Sequence, residues 1–187
     1  MPPILFAKII CYTIFMIRKA NETDLNRISE IYLSIIKKEA VEGGQTEWKE
    51  NVYPTYDTAK LALNRNDIYV YEENGSILAT AIINHIQMDS YKDGGWKLDA
   101  PDDKILVIHT LAVDPAFAKR GIGKKFIEFY ENLAREMNIS SLRLDTNEKN
   151  HSARAFYKKL GYEEVNIVNT TFNGIPNYHL VLLEKVL

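Results

Sequence analysis

The chain has 187 residues, enough for one domain with a sizeable core, whereas two independent domains would each be small. A formal net charge of −2 at pH 7 disfavours broad nucleic-acid binding, although a local basic patch is still compatible with small phosphate ligands. The one cysteine, Cys11, excludes an intrachain disulfide, and no Cys/His group has zinc-ligand spacing, so we expect a cytoplasmic protein without a metal.

The N-terminal segment 1–15 is apolar but lacks the marks of a signal peptide or a membrane span. No basic stretch precedes it, no small-residue cleavage site follows it, and Lys8 interrupts a run too short to cross a bilayer. We therefore expect residues 1–15 to be an extension that packs on the domain or on a partner. Residues 16–187 are expected to form a single domain with no membrane association.

A short strand and two helices are predicted next. Residues 16–20 fit a strand, and residues 21–24 supply capping oxygens for a helix whose apolar positions recur from Leu25 to Ile36. A second helix begins after Thr55, which has the side chain of a helix cap.

A hairpin and a long loop follow these helices. The pair Asn74-Gly75 separates two alternating runs, 67–72 and 77–86, which predicts two antiparallel strands joined by a tight turn. Residues 87–103 break the pattern with glycines, a proline and several aspartates. These acidic side chains would attract a cationic amine if the loop bordered a reactive site. Lysines in the same loop offset the charge, so an ordinary solvated loop is an equal alternative.

Residues 105–113 are apolar on both faces, as expected of a central strand covered by two layers. Pro115 ends this strand, and Gly121 and Gly123 lead into a helix with apolar residues at helical spacing. A helix start has unpaired N–H groups and partial positive charge, and glycines let an anion approach. The turn therefore predicts a phosphate cradle, although a tight turn without any ligand has the same pattern.

Other phosphate-binding motifs are disfavoured at this turn. A Walker sequence is absent, and the Rossmann pattern requires a third glycine where Phe126 stands. Two C-terminal strands, 163–172 and 178–186, are predicted to pair around Asn173-Gly174. The complete predicted order is β, α, α, β, β, β, α, β, α, β, β.

Two motifs in this chain resemble those of the GNAT superfamily of N-acetyltransferases. The upstream pattern, Arg/Gln-x-x-Gly-x-Gly/Ala, is matched by Gly121 and Gly123, with Ala118 in place of the Arg or Gln. The downstream pattern, Asn-x-x-Ala-x-x-x-Tyr-x-x-x-Gly-Phe/Tyr, is matched by Asn150, Ala153, Tyr157, Gly161 and Tyr162. The resemblance implies an α/β (α+β) fold: a mixed, mostly antiparallel central sheet with a splayed parallel strand pair and flanking helices.

The resemblance also implies acetyl-CoA as the cosubstrate and no metal. The backbone of Leu111, Ala112 and Val113 would pair with the pantetheine arm, and the Asn150 side chain would bind farther along it. The pyrophosphate would lie on backbone amides of the turn and helix start, namely those of Lys119, Arg120, Gly121, Ile122, Gly123 and Lys124.

For catalysis, the resemblance implies that the Tyr157 hydroxyl meets the sulfur and donates its proton. The general base stays open between His109, Asp145 and water without a dedicated base.

The acceptor site is expected beside the connection between the first two helices. In relatives this connection forms a wall of the acceptor site, so Glu47, Trp48 and Tyr53 are candidate contacts; otherwise Trp48 and Tyr53 are core anchors and Glu47 is solvated.

The function implied is transfer of an acetyl group from acetyl-CoA to a small-molecule or peptide amine by direct attack. A non-catalytic acyl-CoA-binding or sensing module is the alternative, and a homodimer is compatible with either function.

Overall fold

The structure, a computed structural model, describes residues 15–187, and it confirms the predicted order of helices and strands. The predicted extension lies outside the described residues, apart from Phe15, which opens the first strand. The helices are α1 (Leu25–Glu42), α2 (Tyr56–Asn64), α3 (Ile122–Glu136) and α4 (His151–Lys159). The strands are β1 (Phe15–Lys19), β2 (Ile68–Glu73), β3 (Ser76–Asn84), β4 (Ile105–Val113), β5 (Ser141–Asn147), β6 (Glu163–Phe172) and β7 (Ile175–Val186).

All strands form one seven-stranded sheet in the order β1-β2-β3-β4-β5-β7-β6. Every neighbouring pair is antiparallel except β4 and β5, which are parallel. Their pairing runs only from Ile105 opposite Ser141 to Val107 opposite Arg143, although both strands continue beyond it. The predicted mixed sheet with a splayed parallel pair is therefore confirmed.

Helices α3 and α4 pack on one face of the sheet, and α1 and α2 cover part of the other face. Phe126 of α3 is buried with Ile108 on the face that α3 and α4 cover. On the opposite face, α1 contributes Ile28 to a second cluster. The segment between β3 and β4 covers the rest of that face, where Tyr91 packs with Val107. Ile108 and Val107 thus belong to opposite faces, as strand alternation requires.

Local signals in the sequence explain most of the boundaries. Asn21 and Thr55 both form capping boxes at helix starts. In the hairpin turns, Asn74 and Asn173 have positive φ angles of 51° and 47°, and each is followed by a glycine with positive φ. Such turns match the twist of the flanking strands, which is why Asn-Gly predicts them well.

The segment between β3 and β4 is more ordered than a solvated loop. It contains two short 3₁₀ helices, Asp89–Asp93 and Asp102–Lys104, and the buried Tyr91. The indole N–H of Trp96 donates to the Tyr91 carbonyl at 2.7 Å, and the Arg143 guanidinium lies 4.2 Å from the centre of the Trp96 ring. Tyr91 and Trp96 therefore anchor the segment, while its five aspartates are exposed, as the solvated alternative expected.

A buried ion pair holds this segment to the sheet. Arg143 of β5 and Glu184 of β7 are 4% and 1% exposed, and Arg143 Nε lies 3.4 Å from Glu184 Oε1. The Arg143 guanidinium also donates to the Leu98 carbonyl at 2.9 Å, while Glu184 Oε2 accepts the Lys97 N–H at 2.6 Å. Two strands and the segment therefore share one charged network.

We expect Glu184→Gln to lower the free energy of unfolding by about 3–5 kcal/mol, because it leaves the Arg143 charge buried without a counter-charge. Urea denaturation measures the change. The control is Glu128→Gln, which removes an exposed partner of Lys124 and is expected to cost less than about 0.5 kcal/mol. Equal stability of the two variants would contradict the structural role of the buried pair.

Candidate active site

A groove lies at the N-terminus of α3, where the chain leaves the central strand. Asp114 caps a 3₁₀ turn, Pro115–Phe117, and the helix starts at Gly121, whose φ is +77°. A Cβ added at Gly121 meets no atom within 4 Å, so the backbone there borders open space. The groove, called the α3 groove, has a volume of about 780 Å³. Its lining includes Ile35, Leu111, Val113, Lys119, Gly121, Gly123, Lys124, Asn150, Ser152, Phe156 and Tyr157.

The backbone N–H groups of residues 119–124 have no acceptor within the part of the chain that the structure describes. The first helical bond here is made by the next amide, because the Lys125 N–H donates to the Gly121 carbonyl at 3.1 Å. Consecutive free amides at a helix start form a site for an anion.

Two of the basic side chains around this turn are paired with carboxylates. Arg120 forms an ion pair with Glu73, and Lys124 Nζ lies 3.5 Å from Glu128. Among the described residues, no acidic side chain pairs with Lys119. The backbone amides are therefore the main feature of the predicted phosphate cradle.

The separation of β4 from β5 leaves a small cavity within the sheet, called the central cavity. Its volume is about 130 Å³, and it begins where β4 loses its pairing to β5. Beyond that point Ala112 and Val113 still pair with β3, but among the described strands none pairs with their other edge. The cavity is lined by Ile35, Thr46, Trp48, Tyr53, Thr110, Leu111, Asp145, Asn147, Asn150, Tyr157, Phe172 and Tyr178.

A β-bulge reshapes β4 beside this cavity. The register with β3 shifts between Thr80 and Ile82, and Thr110 has a φ of +51°, which is rare for a β-branched residue. The Thr110 hydroxyl lies 2.5 Å from the Tyr53 hydroxyl. The bulge turns the Thr110 side chain into the space that the separating strands create, and no sequence signal predicted it.

Tyr157 and Asn150 line both the α3 groove and the central cavity. The Tyr157 residue is 8% exposed, its hydroxyl forms no hydrogen bond among residues 15–187, and burial raises its pKa above the usual value near 10. Asn150 caps α4, because its Oδ1 accepts the Ala153 N–H at 3.0 Å. The Asn150 amide nitrogen stays available as a donor toward the groove.

Asp145 lies on the opposite side of the central cavity, on β5. Burial raises the pKa of its carboxyl to about 6, and a hydrogen bond from the Tyr91 hydroxyl, 2.7 Å from Oδ2, opposes that rise. Tyr91 reaches Asp145 from the segment between β3 and β4, a contact that sequence spacing does not reveal.

His109 is the other predicted base, and it has a different environment. Its Nε2 lies 3.2 Å from Asn84 Oδ1 and 3.1 Å from the Ile86 carbonyl, so this nitrogen donates its proton. Burial lowers the pKa of His109 to about 4, which leaves it neutral at pH 7 but weakly basic.

The predicted acceptor contacts divide into two groups. Trp48 packs edge to face between Tyr32 and Tyr53, and both Trp48 and Tyr53 line the central cavity. The Glu47 carboxylate instead pairs with Lys149 and accepts the Asn147 amide at 2.9 Å. It fastens the connection between α1 and α2 to the end of β5, outside the lining of the cavities.

A third space, called the outer cavity, opens beyond Asp145 with a volume of about 530 Å³. It shares Tyr53, Thr110, Asp145 and Phe172 with the central cavity. Its remaining lining is Val52, Thr55, Asp57, Thr58, Leu61, Arg65, Ile82, Asn84, Ile86, Met88, His109 and Asn173. The three spaces are therefore neighbours, in the order α3 groove, central cavity and outer cavity.

The described residues hold no group of three or more His, Cys, Asp or Glu side chains arranged to bind a metal ion. Within residues 15–187, no helix is both long and apolar enough to cross a membrane.

Comparison with known proteins gives both a family and a fold. The model of the acetyltransferase (GNAT) family matches residues 31–162. The uncharacterized N-acetyltransferase MJ1207 of Methanocaldococcus jannaschii is 33% identical over 76 residues, which is 41% of this chain and 34% of that relative. The chain thus matches about a third of the length of this curated relative.

Solved structures are similar over nearly the whole chain. A GNAT-family acetyltransferase of Streptococcus agalactiae superposes with a TM-score of 0.77 and 22% identity, covering 92% of this chain and 95% of that one. The protein yncA of Salmonella typhimurium, solved with its cofactor acetyl-CoA, gives a TM-score of 0.64 and 17% identity over 92% and 93% of the chains. At these identities the similarity shows the fold alone.

Proposed function

The chain belongs to the acetyltransferase (GNAT) family, and from this premise we propose that it transfers an acetyl group from acetyl-CoA to an amine. The observation that carries the proposal is the succession of three neighbouring spaces, in which the central cavity shares lining residues with both the α3 groove and the outer cavity. A thioester arm entering from the groove and an amine entering from the outer cavity meet between Tyr157 and Asp145.

The residues of the α3 groove fit acetyl-CoA. Free N–H groups of residues 119–124 suit an anionic pyrophosphate, and the open space beside Gly121 admits it. The unpaired edge of β4 near Ala112 suits the amides of the pantetheine arm. Ala118 removes the side chain usual in the family but leaves these backbone donors in place. Acetyl-CoA bound there supplies the acetyl group as a thioester.

Three groups of this chain are assigned roles in the transfer. Asp145 takes a proton from the incoming ammonium, so that the neutral amine forms the new C–N bond as the C–S bond breaks. The Leu111 N–H stabilises the negative charge on the acetyl oxygen. The Tyr157 hydroxyl donates its proton to the departing sulfur and is reprotonated by the second proton that the nitrogen loses as the amide forms, while Asp145 returns its proton to solvent. The low basicity of His109 favours Asp145 as the base.

The acceptor is a small-molecule or peptide amine, and the cytoplasm is the proposed compartment because the chain has one cysteine and a need for acetyl-CoA. The alternative is a non-catalytic module that binds acyl-CoA. An acetyltransferase and a non-catalytic module would both bind the coenzyme, but only the enzyme needs Tyr157. A measurement of turnover therefore distinguishes the two functions.

Coenzyme binding is tested by thermal shift with Gly121→Leu. The leucine side chain would occupy the space beside the free amides, so we expect saturating acetyl-CoA to raise the melting temperature of the wild type but not of the variant. At a ligand concentration of about 100 times Kd, the stabilisation is about 2.7 kcal/mol, which corresponds to roughly 5–10 °C.

Gly75→Leu is the matched control. Gly75 in the β2–β3 turn also has a φ of +77° and open space around an added Cβ, so it carries the same backbone strain away from the groove. Both variants are expected to melt below the wild type, and only Gly75→Leu should keep the acetyl-CoA shift. An unchanged shift in Gly121→Leu would contradict binding at the α3 N-terminus.

A further inference from the structure

The shape and polarity of the outer cavity point to a narrower class of acceptor. Building on the proposed acetyl transfer, we propose that the acceptor is a small-molecule primary amine carried on an apolar body, rather than a polyamine. The amino group would lie at Asp145 and the apolar body would lie against the rim of the outer cavity.

The rim is built from exposed aliphatic side chains of three separate segments. Val52 in the α1–α2 connection, Leu61 on α2 and Ile86 after β3 are 45%, 59% and 52% exposed, and all three line this one cavity. Large aliphatic residues from different elements that converge on one concave surface mark a site for an apolar ligand. Met88 and Phe172 continue the apolar surface inward.

The charges of the cavity suit one ammonium group rather than two. Asp145, at the junction with the central cavity, is the one deep carboxylate. Arg65 at the rim pairs with Asp67 at 2.8 Å, and the Asp57 carboxylate is exposed, so water and salt screen its attraction for a second cation. A second ammonium group would lose water against Val52, Leu61 and Ile86 without a buried partner.

The acidic residues of segment 87–103, expected to attract a cationic amine, do not border this cavity. Asp89 is exposed and its carboxylate lies 3.0 Å from Lys92 Nζ, and Asp102 accepts a hydrogen bond from Gln87 at 2.8 Å. The lining of the outer cavity includes none of the aspartates of residues 87–103. The expectation that this acidic segment attracts the amine is therefore corrected.

The test compares length-matched amines, 4-phenylbutylamine and 1,4-diaminobutane, as acceptors with saturating acetyl-CoA. An apolar pocket commonly discriminates about 10- to 200-fold, so we expect kcat/KM for the phenylalkylamine to be at least about 10-fold higher. Leu61→Lys should reduce that preference about 10-fold or more while leaving the thermal shift with acetyl-CoA unchanged. The matched control is Val41→Lys, at an aliphatic position on α1 that is 86% exposed and outside the lining of the outer cavity.

Equal use of the two amines, or a preference for the diamine, would overturn the apolar assignment while leaving acetyl transfer intact. A diamine preference that Asp57→Asn abolished would instead assign specificity to the rim carboxylate. Acetylation of peptides in preference to every small amine would also overturn the proposal. If no amine were acetylated by a protein that binds acetyl-CoA, the proposed function itself would fail.

Discussion

Tyr157→Phe is expected to lower kcat about 10²- to 10⁴-fold, the usual contribution of a single proton donor. The variant keeps the ring that packs beside Phe156 and Tyr162 and loses only the hydroxyl, so coenzyme affinity should change little. Steady-state rates of thiol release, with the acetyl-CoA thermal shift measured in parallel, separate the loss of turnover from any loss of binding.

Tyr162→Phe is the matched control for this substitution. Tyr162 is buried next to Tyr157, and its hydroxyl has no hydrogen-bond partner in the described part of the chain. Removing that hydroxyl should leave kcat within about twofold and should not destabilise the fold. Unchanged turnover in Tyr157→Phe, under conditions where chemistry limits the rate, would remove Tyr157 from the mechanism.

Asp145→Asn is expected to have a loss of similar size, about 10²- to 10⁴-fold in kcat/KM, because the amide cannot accept the ammonium proton. The wild-type rate should also fall as pH drops through about 6. The Asp145 carboxyl group, whose pKa burial raises to about 6, must be ionised to act as a base. Its basic form disappears as the pH falls through that value. The variant should lack this acid limb.

The tyrosines around Asp145 do not titrate near pH 6, so this acid limb can be assigned to Asp145. Four tyrosines face the carboxyl, namely Tyr53, Tyr91, Tyr157 and Tyr178, and burial raises the pKa of each above its usual value, so they stay neutral near pH 6. Tyr91→Phe removes a hydrogen bond that favours the ionised form, so the limb should move to higher pH.

His109→Gln tests the competing base. Because the pKa of His109 is near 4, we expect the fall in rate near pH 6 to remain in this variant. A limb that persisted in Asp145→Asn and disappeared in His109→Gln would reverse the assignment of the base.

The order of helices and strands was predictable because apolar periodicity, capping residues and Asn-Gly turns are local signals. The Gly121-x-Gly123 turn was predictable for the same reason: a helix start, its free amides and the glycines are contiguous in sequence. The last strand was predicted from residue 178, but β7 starts at Ile175 and includes Pro176. A proline is tolerated there because this part of β7 lies beyond the end of β5 and needs fewer sheet hydrogen bonds.

Contacts between distant segments were not predictable. The Tyr91 hydroxyl reaches Asp145 across 54 positions of sequence, and no periodic pattern relates them. The positive φ of Thr110 opposes the preference of a β-branched residue, so propensity argued against the bulge. Glu47 was a candidate acceptor contact because the family resemblance places its connection beside the acceptor site, but its ion pair with Lys149 exists only in the folded chain.

The most direct test of acetyl transfer is to incubate the wild-type protein with acetyl-CoA carrying an isotope-labelled acetyl group, together with a panel of amines. Mass spectrometry and a thiol assay then follow product and released coenzyme together. We predict amine-dependent release of thiol, matched mole for mole by labelled N-acetylamine and abolished in Tyr157→Phe on the same timescale. Coenzyme binding without any labelled amine, over the whole panel, would contradict catalysis and leave a binding module.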